Sequence, residues 1–163
     1  MHARIDSPAL TVPGALKALQ ELGNAARQSG VPLTTLSLVE VRASQINGCS
    51  ICVDMHSREL RNAGEPDERI FTIGAWREAP YFTDAERAAL ALAEAATRIA
   101  DRPDPVPDDV WEEAARHYSE PQLAALVVGI AAINAFNRVN VASRQITGDF
   151  VDQFARHAAR QPA

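Results

Sequence analysis

The sequence predicts an all-α fold consisting of one domain. Apolar residues recur at spacings of three and four along most of the chain, which is the period of an amphipathic helix. Alanine, the strongest helix former, supplies 30 of the 163 residues, whereas aromatic residues supply 9. No segment shows the alternating β-branched pattern that is typical of a strand. We expect residues 1–163 to form a single domain, with its core over about residues 12–145 and a tail helix over about residues 149–160.

Three helices are predicted in the first part of the chain. The first begins at Pro13 and ends before Gly30, since proline favours the first turn of a helix and glycine its end. The second, over about residues 33–46, is apolar on nearly every side, which is typical of an interior helix. The Asn47-Gly48 pair interrupts the helical pattern, so the third helix follows over about residues 49–63.

Three further helices are predicted in the second part of the chain. The Thr-Asp-Ala-Glu sequence of residues 83–86 is a capping-box pattern and opens a periodic helix that extends to Ile99. Prolines exclude a helix over residues 101–107, because proline lacks a backbone N–H and restricts the residue before it. A short helix follows over about residues 108–117. A second capping pattern then opens a long apolar helix over about residues 119–142.

Composition and charge argue against several classes of partner. The net charge is −5, and the 16 cationic residues form no basic cluster, so we predict no binding to nucleic acid or to an anionic membrane surface. The longest uncharged stretch, residues 121–137, has 17 residues, whereas a helix that spans a bilayer needs about 20. We therefore predict a buried helix there. The amino terminus lacks the pattern of a signal peptide, which predicts a cytoplasmic protein.

The chain has two cysteines, Cys49 and Cys52, in a CxxC spacing that is typical of redox or metal chemistry. On a helix that begins here, both sulfurs lie in the first turn, and His56 shares their face within an arc of about 60°. A helix N-terminus, a nearby imidazole and a CxxC partner each favour the reactive thiolate. Because His56 is closer along the helix to Cys52 than to Cys49, we predict that Cys52 is the attacking thiol and Cys49 the resolving one.

If the Cys52 thiolate reduces a hydroperoxide, the reaction also needs an acid that protonates the departing alkoxide. Lowering the pKa of a thiol from about 8.5 to about 6 improves its reactivity only about two- to threefold, so His56 needs a second proton carrier. Glu40 is the candidate, since it is a carboxylate on the predicted interior helix, and burial raises the pKa of a carboxyl group. The alternative is that Glu40 forms an ion pair with Arg42 or with another arginine.

Other roles for the cysteine pair fit the sequence less well than the redox role. A zinc site at Cys49, Cys52 and His56 would lack a fourth ligand. A c-type haem would need histidine where Val53 stands, and a thioredoxin-like domain would need a strand before the cysteines. Inert core cysteines stay open, because free cysteine packs well in interiors. We predict neither a cofactor nor a bound metal.

Residues 42–60, with the sequence RASQINGCSICVDMHSREL, resemble the core signature of the AhpD-like alkylhydroperoxidases within the carboxymuconolactone decarboxylase superfamily. The resemblance extends through residues 75–80, 83–93 and 133–140, and so covers most of the chain. It implies an all-α fold. It also implies assembly as a homotrimer or a homohexamer, which the alanine-rich helix faces allow.

The resemblance further implies that Cys52 becomes a sulfenic acid, that Cys49 condenses with it, and that His56 takes part in a proton relay with a glutamate. The family's glutamate stands twelve residues before the first cysteine, a position that Ser37 occupies here. Glu40 lies one turn further along on an adjacent face. We therefore expect it to serve only through a bridging water or an adjusted helix.

The predicted function is a thiol-dependent peroxidase that reduces a hydroperoxide and is restored by an external dithiol. The resemblance implies that this donor is dihydrolipoamide-like. Two alternatives stay open: a carboxymuconolactone decarboxylase-like lyase that uses His56 as acid and base, and a non-catalytic redox sensor whose Cys49–Cys52 disulfide alters helix packing. The CxxC pair favours the peroxidase, because the resemblance implies that the decarboxylase branch acts without it.

Overall fold

The computed structural model describes residues 2–101 and 103–148, and all regular structure in that part of the chain is helical, which confirms the all-α prediction. Two 3-10 helices lie at Ile73–Ala75 and Ile99–Asp101. The predicted tail helix, residues 149–160, falls outside the described residues. The α-helices, in chain order, are α1 (Pro8–Thr11), α2 (Ala15–Arg27), α3 (Leu33–Asn47), α4 (Ser50–Asn62), α5 (Asp67–Phe71), α6 (Asp84–Thr97), α7 (Asp108–His117) and α8 (Glu120–Ser143).

Five of these helices, α3, α4, α6, α7 and α8, lie within about two residues of their predicted positions. The predicted first helix corresponds to α2, but it begins at Ala15, two residues after Pro13, because Gly14 adopts the left-handed conformation with φ 79°. The short elements α1, α5 and Ile73–Ala75 were not predicted, since three to five residues are too few to show a helical period. Both predicted capping boxes form, at the starts of α6 and α8.

Helix α3 lies at the centre of the molecule, in contact with α4, α6 and α8. Nine of its 15 residues are buried, which confirms the predicted interior helix. Leu36 and Val39 pack into a cluster with α6 and α8, whereas Leu38 and Val41 pack into a second cluster with α4 and the segment after it. Because α3 is enclosed in this way, its single acidic residue, Glu40, is held in the interior.

Helix α8 is the longest helix among the described residues and packs across α2, α3 and α6. It is long and apolar enough to cross a membrane by length and composition, but half of its most apolar stretch is buried inside the structure. The core helix of a soluble protein has the same properties. Three of its buried residues are amides at intervals of three, Asn134, Asn137 and Asn140.

Candidate active site

Cys49 and Cys52 lie at the junction of α3 and α4. Gly48 ends α3 in the left-handed conformation with φ 72°, which turns the chain and makes Cys49 the N-cap residue of α4. Cys52 follows in the first turn of α4, as the sequence predicts. The two cysteines form a disulfide with their Cα atoms 5.4 Å apart, and both are buried.

A buried amide from α8 contacts both sulfurs. The Asn140 amide nitrogen, Nδ2, lies 3.8 Å from Cys49 Sγ and 3.5 Å from Cys52 Sγ. Because an amide N–H donates, Asn140 can stabilise a thiolate on either cysteine once the disulfide is reduced. Asn140 was not among the predicted site residues. Its signal in the sequence was the series of amides on one side of an otherwise apolar helix.

The other two amides of α8 fix the end of α3 beneath the disulfide. Asn47 Nδ2 donates to Asn134 Oδ1 and to Asn137 Oδ1, both at 2.9 Å. Asn137 Nδ2 donates in turn to Ser44 Oγ at 3.0 Å, and Ser44 Oγ donates to the Glu40 carbonyl at 2.7 Å. This buried network ties α8 to the turn of α3 that carries Glu40.

His56 lies one turn after Cys52, and its Nδ1 contacts two carboxylates. It is 2.9 Å from Glu59 Oε2 and 3.2 Å from Glu40 Oε2. Glu40 therefore reaches His56 directly, without the bridging water or adjusted helix that the sequence led us to expect. Among the described residues, His56 Nε2 has no hydrogen-bond partner, which leaves it free to exchange a proton with a bound molecule.

Glu40 also has an arginine partner. Arg27 Nη2 lies 2.7 Å from Glu40 Oε2 and 3.3 Å from Glu59 Oε2, so one guanidinium contacts both carboxylates. The predicted ion pair of Glu40 therefore exists, but its partner is Arg27. Arg42, the residue named in the prediction, donates instead from Nε to Glu94 Oε1 at 2.6 Å.

Glu59 and Arg27 were not predicted as site residues. Glu59 follows His56 by three residues on α4, a spacing that brings side chains together on a helix and was the available signal. Ser37, at the position of the family's relay glutamate, donates from Oγ to Glu59 Oε2 at 3.4 Å. No pattern in the sequence around the cysteines could have identified Arg27 as a site residue, since it comes from the end of α2.

The two carboxylates beside His56 have pKa values that shift in opposite directions. Burial raises the pKa of Glu40, and the opposing charges of His56 and Arg27 offset that effect only in part. The hydrogen bond with His56 lowers the pKa of Glu59, against the effect of its partial burial. The ionised form is therefore favoured more strongly on Glu59 than on Glu40.

A cavity of about 410 Å³ connects this cluster with Cys52. Cys52, His56 and Glu40 all line it. Its polar part also contains Arg27 and Glu59. Its apolar part is lined by side chains from α2, α4 and α8, namely Leu16, Ile51, Met55, Ile133 and Phe136. The cavity, which we call the His56 cavity, can hold a small organic molecule against Cys52.

Three potential metal ligands also converge in the His56 cavity. The ligand atoms of Glu40, His56 and Glu59 lie within 4.8 Å of one another. Arg27 already places a cation against both carboxylates, which offsets part of their charge without a metal. The alternative zinc site suggested by the sequence would use Cys49, Cys52 and His56. It shares only His56 with this cluster, and its two sulfurs are joined in the disulfide.

Comparisons with known proteins agree with the fold. A debrominase, Bmp8, solved with 2,3,4-tribromopyrrole bound, has a TM-score of 0.74 over 90% of this chain and 78% of its own. At 21% identity, this likeness concerns the fold alone. A solved protein of unknown function from Agrobacterium tumefaciens, described as a candidate antioxidant defence protein AhpD, is 38% identical with a TM-score of 0.83. The match covers 90% of this chain and 98% of that chain.

Sequence comparison agrees with these structural similarities. The uncharacterised protein YdfG of Bacillus subtilis is 37% identical over 130 residues, which are 80% of this chain and 87% of YdfG. The family model for the carboxymuconolactone decarboxylase family matches residues 13–95, the part that contains α2, α3, α4 and most of α6. The chain therefore belongs to the carboxymuconolactone decarboxylase family, among its AhpD-like members.

Proposed function

We propose that the protein is a thiol-dependent peroxidase in which Cys52 reduces a hydroperoxide. The observation that carries this proposal is that Cys52, His56 and Glu40 line one cavity. An attacking sulfur and groups that can deliver a proton therefore face the same bound molecule. The similarity to a candidate antioxidant defence protein supports the same chemistry.

In the first step, the Cys52 thiolate attacks the terminal oxygen of the hydroperoxide. The O–O bond breaks, Cys52 becomes a sulfenic acid, and the alkoxide leaves as an alcohol after it takes a proton from His56. Asn140 stabilises the thiolate through its amide N–H, and the N-terminus of α4 adds a favourable field.

In the second step, the Cys49 thiol attacks the sulfur of the sulfenic acid. A disulfide forms, and the hydroxyl group leaves as water with the proton of the thiol. An external dithiol, dihydrolipoamide-like by family resemblance, then reduces the disulfide and is itself oxidised. Cys49 is suited to resolution because it bonds to Cys52 in this structure while α4 is formed from Ser50 onward.

Glu59 and Glu40 have different parts in the proton relay. The lowered pKa of Glu59 keeps it ionised, so it accepts a hydrogen bond from His56 Nδ1 and orients the imidazole. The raised pKa of Glu40 makes it the carboxylate that takes up a proton more readily, and it supplies that proton to His56 Nδ1, 3.2 Å away, as Nε2 gives its own proton to the alkoxide. Arg27 holds both carboxylates in place.

Two cysteine variants test the proposal. We expect Cys52→Ser to abolish peroxide consumption and the trapping of a sulfenic acid by a dimedone reagent. Cys49→Ser, the matched variant one turn away, should still react once with peroxide and should accumulate the trappable sulfenic acid. Peroxide consumption and mass spectrometry of the trapped adduct measure both effects. Full peroxidase activity in Cys52→Ser would exclude the proposed role of this cysteine.

The variant without both cysteines separates the peroxidase from the other candidates. Turnover of a lactone acid by that variant would favour a decarboxylase-like lyase that uses His56. A disulfide that forms in the wild-type protein without peroxide turnover and changes the oligomer mass would favour a redox sensor. A brominated pyrrole, the class of ligand bound by the debrominase of the same fold, belongs in the same substrate panel.

We also propose a homotrimer or homohexamer in the cytoplasm. Several large apolar side chains are exposed on the single chain, with Phe71 at 71% the most exposed of them. A reducing compartment suits a disulfide that must be reduced in each cycle. Light scattering of the reduced and oxidised protein measures the mass, and a monomer in both states would exclude the assembly.

A further inference from the structure

The two cysteines of the disulfide line different cavities. Cys52 lines the His56 cavity, whereas Cys49 lines a second cavity of about 500 Å³ that contains neither His56 nor Glu40. Asn140, which contacts both sulfurs, lines both cavities. A molecule in the second cavity can therefore approach Cys49 without entering the space that the hydroperoxide occupies. We call this second cavity the Arg144 cavity, after the charged residue in its lining.

We propose that the Arg144 cavity is the binding site of the reducing dithiol, that the dithiol attacks Cys49, and that an anionic group on the donor pairs with Arg144. The inference rests on the proposed thiol cycle. It adds a separate binding site for the dithiol that reduces the disulfide. It also names Cys49 as the sulfur attacked and predicts that Arg144 favours a negatively charged donor. The volume of the cavity is in the range of small-molecule sites.

The chemistry of the exchange favours attack at Cys49. A donor thiolate forms a bond with Cys49 Sγ, the Cys49–Cys52 bond breaks, and Cys52 leaves as a thiolate. The leaving sulfur is the better stabilised one, because Asn140 Nδ2 is closer to Cys52 Sγ and because Cys52 lies in the first turn of α4. The second thiol of the donor then attacks the mixed disulfide, which releases Cys49 and leaves the donor as its own disulfide.

Arg144 provides the charge preference. It is exposed, and no carboxylate within residues 2–101 and 103–148 pairs with its guanidinium. It also caps α8 at φ 56° and ψ 46°, and it is the single non-glycine residue with positive φ in the described part of the chain. Glycine or asparagine is usual at such a position. A long cationic side chain at a glycine-favouring position beside the cavity indicates a role for that side chain.

The test uses the oxidised full-length protein and two donors that differ in one group. Dihydrolipoate carries a carboxylate where dihydrolipoamide carries a neutral amide, and both have the same dithiol. The rate of disulfide reduction is measured by acid quench and thiol alkylation, with no peroxide present. We expect wild-type protein to prefer dihydrolipoate by about threefold, the size expected of one exposed charge pair.

Three variants locate the origin of this preference. Arg144→Gly should abolish it while the melting temperature stays the same or rises, because glycine adopts this backbone conformation without strain. Arg144→Lys should retain it. Arg98→Gln, the matched loss of a cation that lines neither cavity, should also retain it. A preference that persists in Arg144→Gly would overturn the proposed donor site.

A second measurement locates the attacked sulfur. Mercaptoacetate, a monothiol with a carboxylate, should be found on Cys49 when the reaction is quenched with acid and analysed by tandem mass spectrometry. Its presence on Cys52 would overturn the inference. Because neither measurement involves a hydroperoxide, they can succeed where the peroxidase assay fails. A chain that consumes peroxide normally but lacks the Arg144 effect would contradict only the donor site.

Discussion

Glu40 on α3 and Glu94 on α6 are both glutamates with 7% of their surface exposed, and both pair with arginine. Their hydrogen-bond partners nevertheless differ. Glu94 accepts from Arg42 Nε at 2.6 Å, from Arg77 Nη1 at 2.6 Å and from Trp76 Nε1 at 3.0 Å. Glu40 accepts from one guanidinium, that of Arg27, and shares the imidazole of His56 with a second carboxylate.

The difference appears in the pKa of each group. Burial acts to raise the pKa of Glu94, but the hydrogen bonds from Arg77, Trp76 and Arg42 outweigh burial and leave this pKa below its usual value. For Glu40, burial outweighs the partners and the pKa is raised. Glu94 is therefore a structural carboxylate that stays ionised. Glu40, which also lines the His56 cavity, is a carboxylate that can exchange a proton.

The largest expected effect concerns the structural carboxylate. Glu94→Gln should lower the free energy of unfolding by about 3 kcal/mol, because the Arg42 side chain, only 15% exposed, is left without a charged partner. Urea unfolding measures the loss. The peroxidase rate per folded molecule should stay the same. Glu112→Gln, an exposed position on α7, is the control and should change stability by less than about 0.5 kcal/mol. An equally stable Glu94→Gln protein would contradict the comparison.

A smaller effect, on rate instead of stability, is expected for Glu40→Gln. The glutamine keeps the shape of the side chain but cannot hold the proton, so peroxide consumption should fall about 30-fold, at the lower end of general acid–base effects. The variant should be no less stable than the wild type, so the loss of rate does not come from unfolding. Glu59→Gln, the variant at the orienting carboxylate, should lower the rate less. If the Glu40→Gln rate equals the wild-type rate, Glu40 is only the ion-pair partner of Arg27.

The sequence could predict the longer helices but not the partners of these two carboxylates. The strongly periodic helices and both capping boxes depend on residues close together in the chain, and they were predicted correctly. The placement of Cys49 and Cys52 at a helix N-terminus depends on the adjacent Gly48 and was predicted for the same reason. Local spacing thus accounts for the fold class and for the position of the disulfide.

Partners that come from distant helices could not be predicted in this way. Arg42 is two residues from Glu40 but contacts Glu94, whereas Arg27 arrives from the end of α2. Side chains that are two residues apart on a helix point in different directions, so the short distance in sequence between Glu40 and Arg42 did not indicate a contact. Asn140 reaches the sulfurs from α8, some 90 residues away along the chain. Tertiary packing decides each of these contacts.

The smallest expected effect is a difference in how stability depends on pH. The usual pKa of a glutamate is 4.5, and that of Glu40 is raised above it in the folded protein, so the unfolded chain ionises first. Stability from this group is therefore lost as pH rises from about 4.5 through the raised pKa. The Glu40→Gln variant has no carboxyl group at this position and does not lose this stability. The difference in free energy of unfolding between the variant and the wild type should therefore shift in favour of the variant between pH 4.5 and pH 7.

Glu94 should give the opposite result, because its folded pKa lies below 4.5. Its contribution is complete above about pH 4.5 and is lost as pH falls through the lowered pKa, so the deficit of Glu94→Gln should shrink in acid. Urea unfolding of both variants and the wild type at a series of pH values from 3 to 7 measures the two trends. Parallel curves would mean that the two buried glutamates have the same protonation behaviour, and Glu40 would then lose its distinction as the proton carrier.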